Sequence, residues 1–474
     1  MSIITHWVSP FPGAISWLKL LFSASLLLIL SACASSAKYP ENSRLEIPGV
    51  VSPKNQSDSS NQDILLLMAF SGGGTRAAAM AYGVLEAFSR IEVGPTGSSH
   101  SLLDEIDAIS AVSGGSITAA YFGLFGERIF DDFRENFLEK DVEGEIRNSI
   151  FSIAKLDWVT ADSYGRGDTL AEYFQTNLFG DRPISELLDS KGPWVQINAT
   201  DLFQGVRFSF SRNQFDLICS DVEKFPVARA VAASSAVPVI FNPLTLRNHA
   251  GSCGHKTPEW LTSTLKNPHQ DQRRFREATR QSIYLDQTRK PYIHLVDGGL
   301  TDNLGVQPLN DRLATGTGLW NLMKLLGQKR ATKVMMVVVD SSARLPTEWD
   351  LTPNIPPLSA VINAASSAPL NRVSFETLEF LRTQKDAWAE AARISRCRET
   401  AECTPLDFNL VILRLEDDTD PKRRERLLSL PTGFKLQPQQ ISDVIEATGE
   451  IVRRNPCLNF AETAKSIHSK RHCR

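Results

Sequence analysis

A strand-like run that ends abruptly in a serine between small residues is the feature that most restricts the fold of this chain. Residues 106–112 form a short β-prone run, Ser113 follows, and residues 116–125 have a small-residue helical pattern. A strand that turns sharply into a helix and presents a serine at the corner is typical of a nucleophile elbow. The usual pattern is G-x-S-x-G, and Ala111 here replaces the first glycine. Since a serine between glycines is more often just a turn, the nucleophile hypothesis needs support from other residues.

A glycine-rich turn earlier in the chain has three interpretations. Residues 64–70 form an apolar run of strand length, and residues 77–88 have helical periodicity. Between them, Gly72, Gly74 and Ala77 fit the dinucleotide-binding pattern G-x-G-x-x-G/A. Alternatively, backbone N–H groups of a glycine run at a helix N-terminus form an oxyanion hole. The third interpretation is a tight turn without a ligand. A phosphate loop is excluded because no Gly-Lys-Ser/Thr follows.

Arg76, at the end of this glycine run, has three possible roles. It holds the shape of the loop, complements an anionic head group, or is solvated. The sequence leaves all three open.

An aspartate after a later strand is the candidate general base. Residues 292–296 predict a strand, and Asp297 follows it directly, beside Gly298 and Gly299. A turn is the commoner reason for Asp-Gly. Among the histidines, His294 is the candidate near this position, but residues three apart in a strand point to opposite faces. We therefore expect His294 to be a packed strand residue that does not share a site with Asp297.

Alternating strands and helices over residues 64–453 predict an α/β layered fold with a mostly parallel sheet. A mixed, charged region at 128–180, with helices at 129–139 and 169–178, is interpreted as an insertion or cap without chemistry of its own. Pro369 predicts a break in the helical region 358–393. The further predicted strands are 194–200, 206–210, 333–340 and 408–413, and the further helices are 227–236 and 441–453.

The N-terminus has the pattern of an export signal. Lys19 precedes an apolar run from Leu20 to Leu30, and Ser31-Ala32-Cys33 follows. The tetrapeptide 30–33 resembles the lipobox of bacterial lipoproteins, which implies a signal peptide at 1–32, cleavage before Cys33 and lipidation of Cys33. Ala34 then implies sorting to the periplasmic face of the outer membrane. The alternatives are an incidental Cys33 or an uncleaved anchor. Residues 33–62, poor in large apolar side chains, predict a flexible tether.

Charge and cysteine content restrict the partners. The net charge is −3, from 51 Lys+Arg and 54 Asp+Glu, so no basic excess points to nucleic acid. Without Cys33, six of the seven cysteines remain, and an even number in an exported chain suggests disulfides. Short loop closures favour the pairs Cys219–Cys253, Cys397–Cys403 and Cys457–Cys473. The chain contains no C-x-x-C pair, which would be the pattern of a metal site.

Taken together, these motifs resemble the patatin-like phospholipases, whose marks are G-G-G-x-R/K, G-x-S-x-G and D-G-A/G in that order. The small-residue block 232–241 before and after Pro238 is also similar to that family. The resemblance is strong over residues 64–304 and weaker beyond. It implies a three-layer fold with a mostly parallel central sheet, a catalytic domain at 63–310, and a C-terminal region, 311–474, that completes or covers it. The matching runs in this chain are Gly72-Gly73-Gly74-Thr75-Arg76, Ala111-Val112-Ser113-Gly114-Gly115 and Asp297-Gly298-Gly299.

The resemblance also implies a chemistry. Ser113 would be the nucleophile and Asp297 the base of a Ser-Asp dyad, which explains why no histidine is needed. Gly72, Gly73 and Gly74 would supply oxyanion N–H groups, with Arg76 supporting their loop, and no metal or cofactor is expected.

The function implied is a membrane-tethered lipid acyl hydrolase, of phospholipase A or lysophospholipase type, acting on phospholipids or other acyl-ester lipids. One alternative is an esterase or thioesterase that shares the dyad. Another is an inactive lipoprotein that binds lipid or a protein partner. A dinucleotide-binding enzyme leaves Ser113 and Asp297 unexplained.

Overall fold

A computed structural model describes residues 41–46, 63–94, 99–150, 164–190, 192–314, 318–344 and 348–458. The predicted signal peptide, Cys33 and most of the predicted tether lie outside the described residues. In the described part of the chain, no helix combines the length and the apolar character needed to cross a membrane.

An eight-stranded sheet forms the centre of the fold, in the order β10-β9-β1-β4-β5-β8-β7, with β6 pairing with β5. The five strands from β10 to β5 are parallel, whereas β6 and β8 run antiparallel to β5 and β7 runs antiparallel to β8. The predicted α/β fold with a mostly parallel sheet is confirmed. The strands are β1 Ile64–Phe70, β2 Glu92–Val93, β3 His100–Ser101, β4 Ile106–Val112, β5 Trp194–Asp201, β6 Val206–Ser209, β7 Leu244–Arg247, β8 Tyr292–Val296, β9 Lys333–Asp340 and β10 Asp407–Arg414, of which β2 and β3 form a separate hairpin.

Helices cover both faces of the sheet. Side chains of β1 alternate between two buried apolar clusters: Leu66, Met68 and Phe70 face one cluster, and Leu65 and Leu67 face the other. A strand buried on both sides requires this continuous apolar sequence. The helices are α1 Gly74–Phe88, α2 Ser113–Phe125, α3 Ile129–Phe133, α4 Val142–Ile150, α5 Arg166–Phe174, α6 Ile184–Leu188, α7 Arg212–Leu217, α8 Val227–Ser234, α9 Glu259–Lys266, α10 Gln272–Tyr284, α11 Gly299–Asp302, α12 Gln307–Leu313, α13 Gly318–Leu325, α14 Leu358–Thr400, α15 Pro421–Leu428 and α16 Pro438–Arg454.

The C-terminal region shares the core of the region before it. β9 lies between β1 and β10, so residues after 310 supply two adjacent strands of the same sheet. α16 packs against α1 on one face. On the other face, Leu381 and Trp388 of α14 belong to the same apolar cluster as Leu65.

The helix α14 differs from its predicted form. It runs without interruption from Leu358 to Thr400 and contains Pro369, so the predicted break before Pro369 is wrong. A proline removes one helical hydrogen bond and leaves the carbonyl four residues earlier without its donor. That carbonyl belongs to Ala365, which is exposed to solvent. Water can therefore replace the lost donor, and the helix continues.

Residues 41–46 lie against the domain, although they fall in the predicted flexible tether. The side chain of Asn42 donates to Ser220 Oγ at 2.8 Å and accepts from the N–H of Arg247. The N–H of Leu45 donates to the carbonyl of Cys219 at 2.8 Å. These bonds fix six residues of the predicted tether on the domain surface.

Two predicted disulfides are confirmed: Cys219–Cys253 and Cys397–Cys403. Cys457 is also disulfide-bonded. Its predicted partner, Cys473, lies outside the described residues, so the third pairing stays a prediction.

Candidate active site

The strand β5 brings Ser113 and Asp297 together. Val112, the last residue of β4, lies opposite Asn198 of β5, and Val296, the last residue of β8, lies opposite Thr200. The residues that follow the two strands therefore flank the same stretch of β5 from its two sides. The hydroxyl of Ser113 donates to Asp297 Oδ2 over 2.7 Å. Both side chains are buried, with 3 % of Ser113 and 7 % of Asp297 exposed.

Ser113 has the strained backbone of a nucleophile elbow. Its φ of 50° lies in the left-handed region that side chains other than glycine rarely adopt. The helix α2 begins at Ser113 itself, so the serine stands at the corner between strand and helix. Ala111 is a regular residue of β4, paired with Ile197. The substitution of Ala for the usual glycine therefore falls before the strained position.

The glycines after Ser113 permit close packing of α2 on neighbouring backbone. A Cβ on Gly114 would stand 2.0 Å from the carbonyl oxygen of Gly74, and one on Gly115 would stand 2.6 Å from that of Ser71. Any side chain at these positions would push the elbow away from the glycine loop. The sequence pattern after the serine is thus a packing requirement.

The acid Asp297 is held in a defined orientation and has an altered pKa. Its Oδ1 accepts the N–H of Gly299 at 2.7 Å, and its own N–H donates to the carbonyl of Ala236 at 2.9 Å. Burial raises the pKa of Asp297 from 3.8 to about 6, while the hydrogen bonds from Ser113 and Gly299 oppose that increase. The carboxyl group is therefore ionised at neutral pH and able to accept a proton from Ser113.

The glycine loop lies against Ser113, but its three N–H groups are not equivalent. A Cβ on Gly72 would be 3.2 Å from the Cβ of Ser113, so the loop is in contact with the serine. The N–H of Gly72 donates to the carbonyl of Asn303 at 2.9 Å. Because this N–H already has an acceptor, the prediction that Gly72 is an oxyanion donor is corrected. Among the described residues, no acceptor is bonded to the N–H of Gly73 or Gly74. These two groups remain as candidate oxyanion donors.

Arg76 stabilises the conformation of this glycine loop. Its guanidinium is buried and donates to the carbonyl oxygens of Ser341, Leu430 and Pro431 and to the hydroxyl of Thr432. Burial lowers the pKa of Arg76 to about 10, and Asp340 opposes the decrease, so the guanidinium is charged at neutral pH. Because these donors face carbonyl groups of the protein, the structure favours the loop-shaping role over that of an anion ligand.

The segment 430–434, which the sequence pattern did not single out, covers the glycine loop. The N–H of Thr75 donates to the carbonyl of Gly433 at 2.9 Å, and a Cβ on Gly74 would lie 2.2 Å from that oxygen. A dinucleotide pyrophosphate would need the helix N-terminus that Gly433 occupies. The glycine pattern therefore serves close packing here, and the dinucleotide interpretation has no support.

A small cavity opens beside Ser113. It measures about 10 Å³, which is space for about one water molecule. Its walls are mostly apolar, with Val237, Ile240, Phe241 and Phe434 among them. Glu143, from the region predicted to carry no chemistry, also lines the cavity and fixes its wall by accepting the N–H of Phe434 at 2.7 Å.

His294 is a packed residue of the strand β8, as predicted. Its ring pairs with Thr245 Oγ1 at 3.1 Å and packs edge-on against Phe203. Burial lowers the pKa of this half-buried histidine.

Two serines next to the site were missed as individual residues. Ser341 follows β9, and its hydroxyl donates to the carbonyl of Gly72 at 2.8 Å, which orients the glycine loop. Ser234 accepts the N–H of Ser113 at 2.8 Å. The sequence predicts the small-residue block around Ser234 as a helix, and the serines in this block are the signal that could have indicated a polar contact with the site. Nothing in the sequence around Ser341 marks it.

A family model described as patatin-like phospholipase matches residues 68–310, just over half of the chain. None of the curated proteins matches. Among solved structures, the human GIVD cytosolic phospholipase A2 has 12% identity and a TM-score of 0.41, with 84% of this chain and 61% of that one covered. The same human protein in complex with methyl gamma-linolenyl fluorophosphonate and terbium chloride has 12% identity and a TM-score of 0.37, with coverages of 85% and 58%.

The chain thus spans about three fifths of the length of these structures. The family model includes all three motifs that meet at the site, from the glycine loop through the Ser113 elbow to Asp297. The chain belongs to the patatin-like phospholipase family.

Proposed function

We propose that the protein is a serine lipid acyl hydrolase, of phospholipase A or lysophospholipase type, that cleaves fatty-acyl esters through Ser113 and Asp297. The observation that carries this proposal is the 2.7 Å hydrogen bond from Ser113 Oγ to the buried carboxylate of Asp297. A nucleophile that is hydrogen-bonded to a base and stands at the corner of a strained elbow is the arrangement that acyl transfer requires. Membership in the family supplies the lipid ester as the substrate class.

In the acylation step, Asp297 Oδ2 accepts the hydroxyl proton of Ser113 while Oγ attacks the ester carbonyl carbon. The carbonyl oxygen becomes an oxyanion, to which the N–H groups of Gly73 and Gly74 donate. Each such donor is worth about 3 kcal/mol of transition-state stabilisation in other acyl-transfer enzymes. Collapse of the intermediate breaks the bond to the leaving alcohol, which takes the proton from Asp297.

In the deacylation step, water replaces the alcohol. Asp297 removes a proton from the water, which attacks the acyl carbon of the Ser113 ester and forms a second oxyanion in the same place. Breakage of the bond to Ser113 Oγ releases the fatty acid, and the serine recovers its proton from Asp297. The carboxyl group thus acts as base and then as acid in both halves of the cycle.

The size of the cavity limits how substrate reaches the serine. A space of about 10 Å³ does not admit an acyl chain. We expect the segments 237–241 and 432–434 to separate when lipid binds, since residues of both line the cavity beside Ser113. Val239 and Ile240 of the first segment are exposed, which places apolar side chains at the entrance.

The proposal also includes the cellular location of the protein. A lipid on Cys33 would tether the protein to a membrane, at the periplasmic face of the outer membrane, where its substrate is at hand. The support is the sequence Leu30-Ser31-Ala32-Cys33 after an apolar run.

The test is fatty-acid release from vesicles of phosphatidylethanolamine and phosphatidylglycerol, and from lysophosphatidylcholine, by the full-length protein in the presence of a chelator. Ser113→Ala and Asp297→Asn should each lower the release by at least a thousandfold, because each removes a reacting group. Ser235→Ala is the matched control: it also loses a buried serine hydroxyl, but one that is bonded to nothing in the described residues. Its rate should equal that of the wild type.

Retained hydrolysis in Ser113→Ala would overturn the proposal. If the folded wild type releases fatty acid from neither lipid but hydrolyses a soluble ester or thioester, the enzyme class stands and the lipid substrate does not. If it hydrolyses none of these, the inactive binding protein is the better interpretation.

A further inference from the structure

The last residue of α8, Ser234, connects the two loops that carry Ser113 and Asp297. Its hydroxyl oxygen accepts the N–H of Ser113 at 2.8 Å. Its backbone carbonyl accepts the N–H of Gly298, next to Asp297, at 3.0 Å. Ser234 is completely buried. One residue thus contacts both loops and lies behind the dyad, without touching the space where substrate would sit.

The hydroxyl of Ser234 has one defined orientation. It donates its only proton to the carbonyl of Asn198 at 2.6 Å, so the oxygen presents a lone pair to the N–H of Ser113. Asn198 is the β5 residue that lies opposite Val112. The chain of bonds runs from the elbow through Ser234 to the strand that also aligns Asp297.

Within the described ranges of the chain, Ser234 is the acceptor for this N–H. Ser113 is the first residue of α2, where backbone N–H groups lack acceptors within the helix. Val112, at the position that normally supplies a capping side chain, makes no such bond. Ser234 supplies that acceptor from a different helix, to a serine whose own φ is 50°.

We propose that Ser234 is a positioning residue that holds the strained elbow so that Ser113 Oγ points at Asp297. This inference rests on the proposed function. Without the Ser234 oxygen, the N–H of Ser113 is buried and unpaired. Rotation of the elbow out of its strained conformation then lowers the free energy. The Oγ–Oδ2 alignment is then lost for much of the time. Since substrate does not contact Ser234, kcat should fall while KM stays nearly constant.

The adjacent serine offers a control of the same chemistry. The hydroxyl of Ser235 is also completely buried, but it has no hydrogen-bond partner in the described residues. Ser235→Ala and Ser234→Ala therefore delete the same atom from two completely buried positions, one residue apart. A general effect of the deletion on packing would appear in both variants.

The experiment compares the full-length wild type, Ser234→Ala, Ser234→Cys and Ser235→Ala in two assays. The first is the hydrolysis of p-nitrophenyl butyrate, for kcat and KM. The second is the second-order rate at which a fluorophosphonate probe labels Ser113, which needs an aligned nucleophile but no turnover. Melting temperatures and a titration of reactive serine measure the folded fraction.

We expect Ser234→Ala to lower kcat and the labelling rate by roughly tenfold to a hundredfold, with KM within twofold of the wild type. Ser234→Cys should be intermediate because sulfur is a weaker acceptor. Ser235→Ala should match the wild type in both assays.

Equal labelling rates for folded Ser234→Ala and Ser235→Ala would overturn the inference, as would equal loss in both. If Ser234→Ala does not fold, Ser234→Cys decides by the same criteria. Failure of the proposed function looks different, because the wild type would then release no fatty acid from phospholipid or lysophospholipid, while the labelling comparison still reports the alignment of Ser113.

Discussion

The conformation of Ser113 depends on three parts of this molecule. Its positive φ is set by the turn from β4 into α2, its N–H by Ser234, and its hydroxyl by Asp297. The sequence predicted the serine and the acid because small residues and glycines mark both turns. It could not predict Ser234 as an individual contact, because a hydroxyl in a small-residue helix is also compatible with packing alone.

The acid limb of the pH–activity profile should report Asp297. Burial raises its pKa to about 6 and only the ionised form accepts a proton, so activity should fall as the pH drops through about 6. At pH 5, kcat/KM for p-nitrophenyl butyrate should be about one tenth of its value above pH 7. A series of initial rates from pH 4.5 to 8.5 measures this. An inflection near pH 4 would contradict the prediction.

Asp302 is the control for this assignment, because burial raises its pKa to about 6 as well. Its carboxyl group caps the N–H groups of Val306 and Gln307 and does not contact Ser113. Asp302→Asn should therefore leave the inflection in place.

The same burial predicts that Asp297 limits stability. A carboxyl whose pKa rises on folding costs folding free energy when ionised, so the cost is present above about pH 6 and absent below about pH 4. Asp297→Asn should raise the free energy of unfolding at pH 8 by up to about 3 kcal/mol, and leave it unchanged at pH 4. Urea unfolding of both proteins at the two pH values measures the difference.

Asp386→Asn, at a side chain that is 80 % exposed, is the control for this prediction and should change stability at neither pH. Equal effects of Asp297→Asn at pH 8 and pH 4 would show that the carboxylate charge is not the cause.

At the scale of elements, the strands that flank the site were predictable and the loop that covers it was not. Continuous apolar runs such as 64–70 and 334–339 have few alternatives to a buried parallel strand. The segment 430–434 contacts the glycine loop through its backbone carbonyls. Such contacts do not depend on residue type, so no pattern reveals them. The predicted helix break before Pro369 is wrong because water can hydrate the exposed carbonyl that the proline leaves without a donor.

Arg76→Lys tests the link between α1 and the covering loop. The guanidinium satisfies three carbonyl groups at once, whereas one ammonium group cannot reach all of them. Carbonyl groups left buried without a donor cost about 1–3 kcal/mol each. We expect a lower melting temperature and at least tenfold lower kcat, because the glycine loop loses its support.

The matched control is Arg90→Lys, just beyond the end of α1, where the side chain is 71 % exposed and pairs with Glu86. This variant should change neither quantity by a measurable amount, because exposed ion pairs contribute little. Normal activity in Arg76→Lys would mean that the covering loop holds the glycines without the arginine.

At the scale of the molecule, the prediction that remains concerns the membrane. If Cys33 is lipidated, Cys33→Ser should lose a metabolically incorporated alkyne fatty acid and move from the membrane fraction to the soluble fraction of a bacterial host. Ser36→Ala, three residues later, should keep the label. Mass spectrometry of the N-terminus checks the cleavage position. A labelled Cys33→Ser protein would rule out lipidation at this position.

The covering loop also fixes when in the life of the polypeptide the site becomes complete. Ser113, Asp297 and the glycines lie in the first 300 residues, but Leu430, which anchors Arg76, comes 354 residues after it. The strand β10, from 407 to 414, likewise enters the sheet late. A chain that is still emerging from the ribosome therefore contains Ser113 before the segment that completes the glycine loop has been made. If Ser113 is the nucleophile, the site that we propose is therefore complete only after nearly the whole polypeptide has been made.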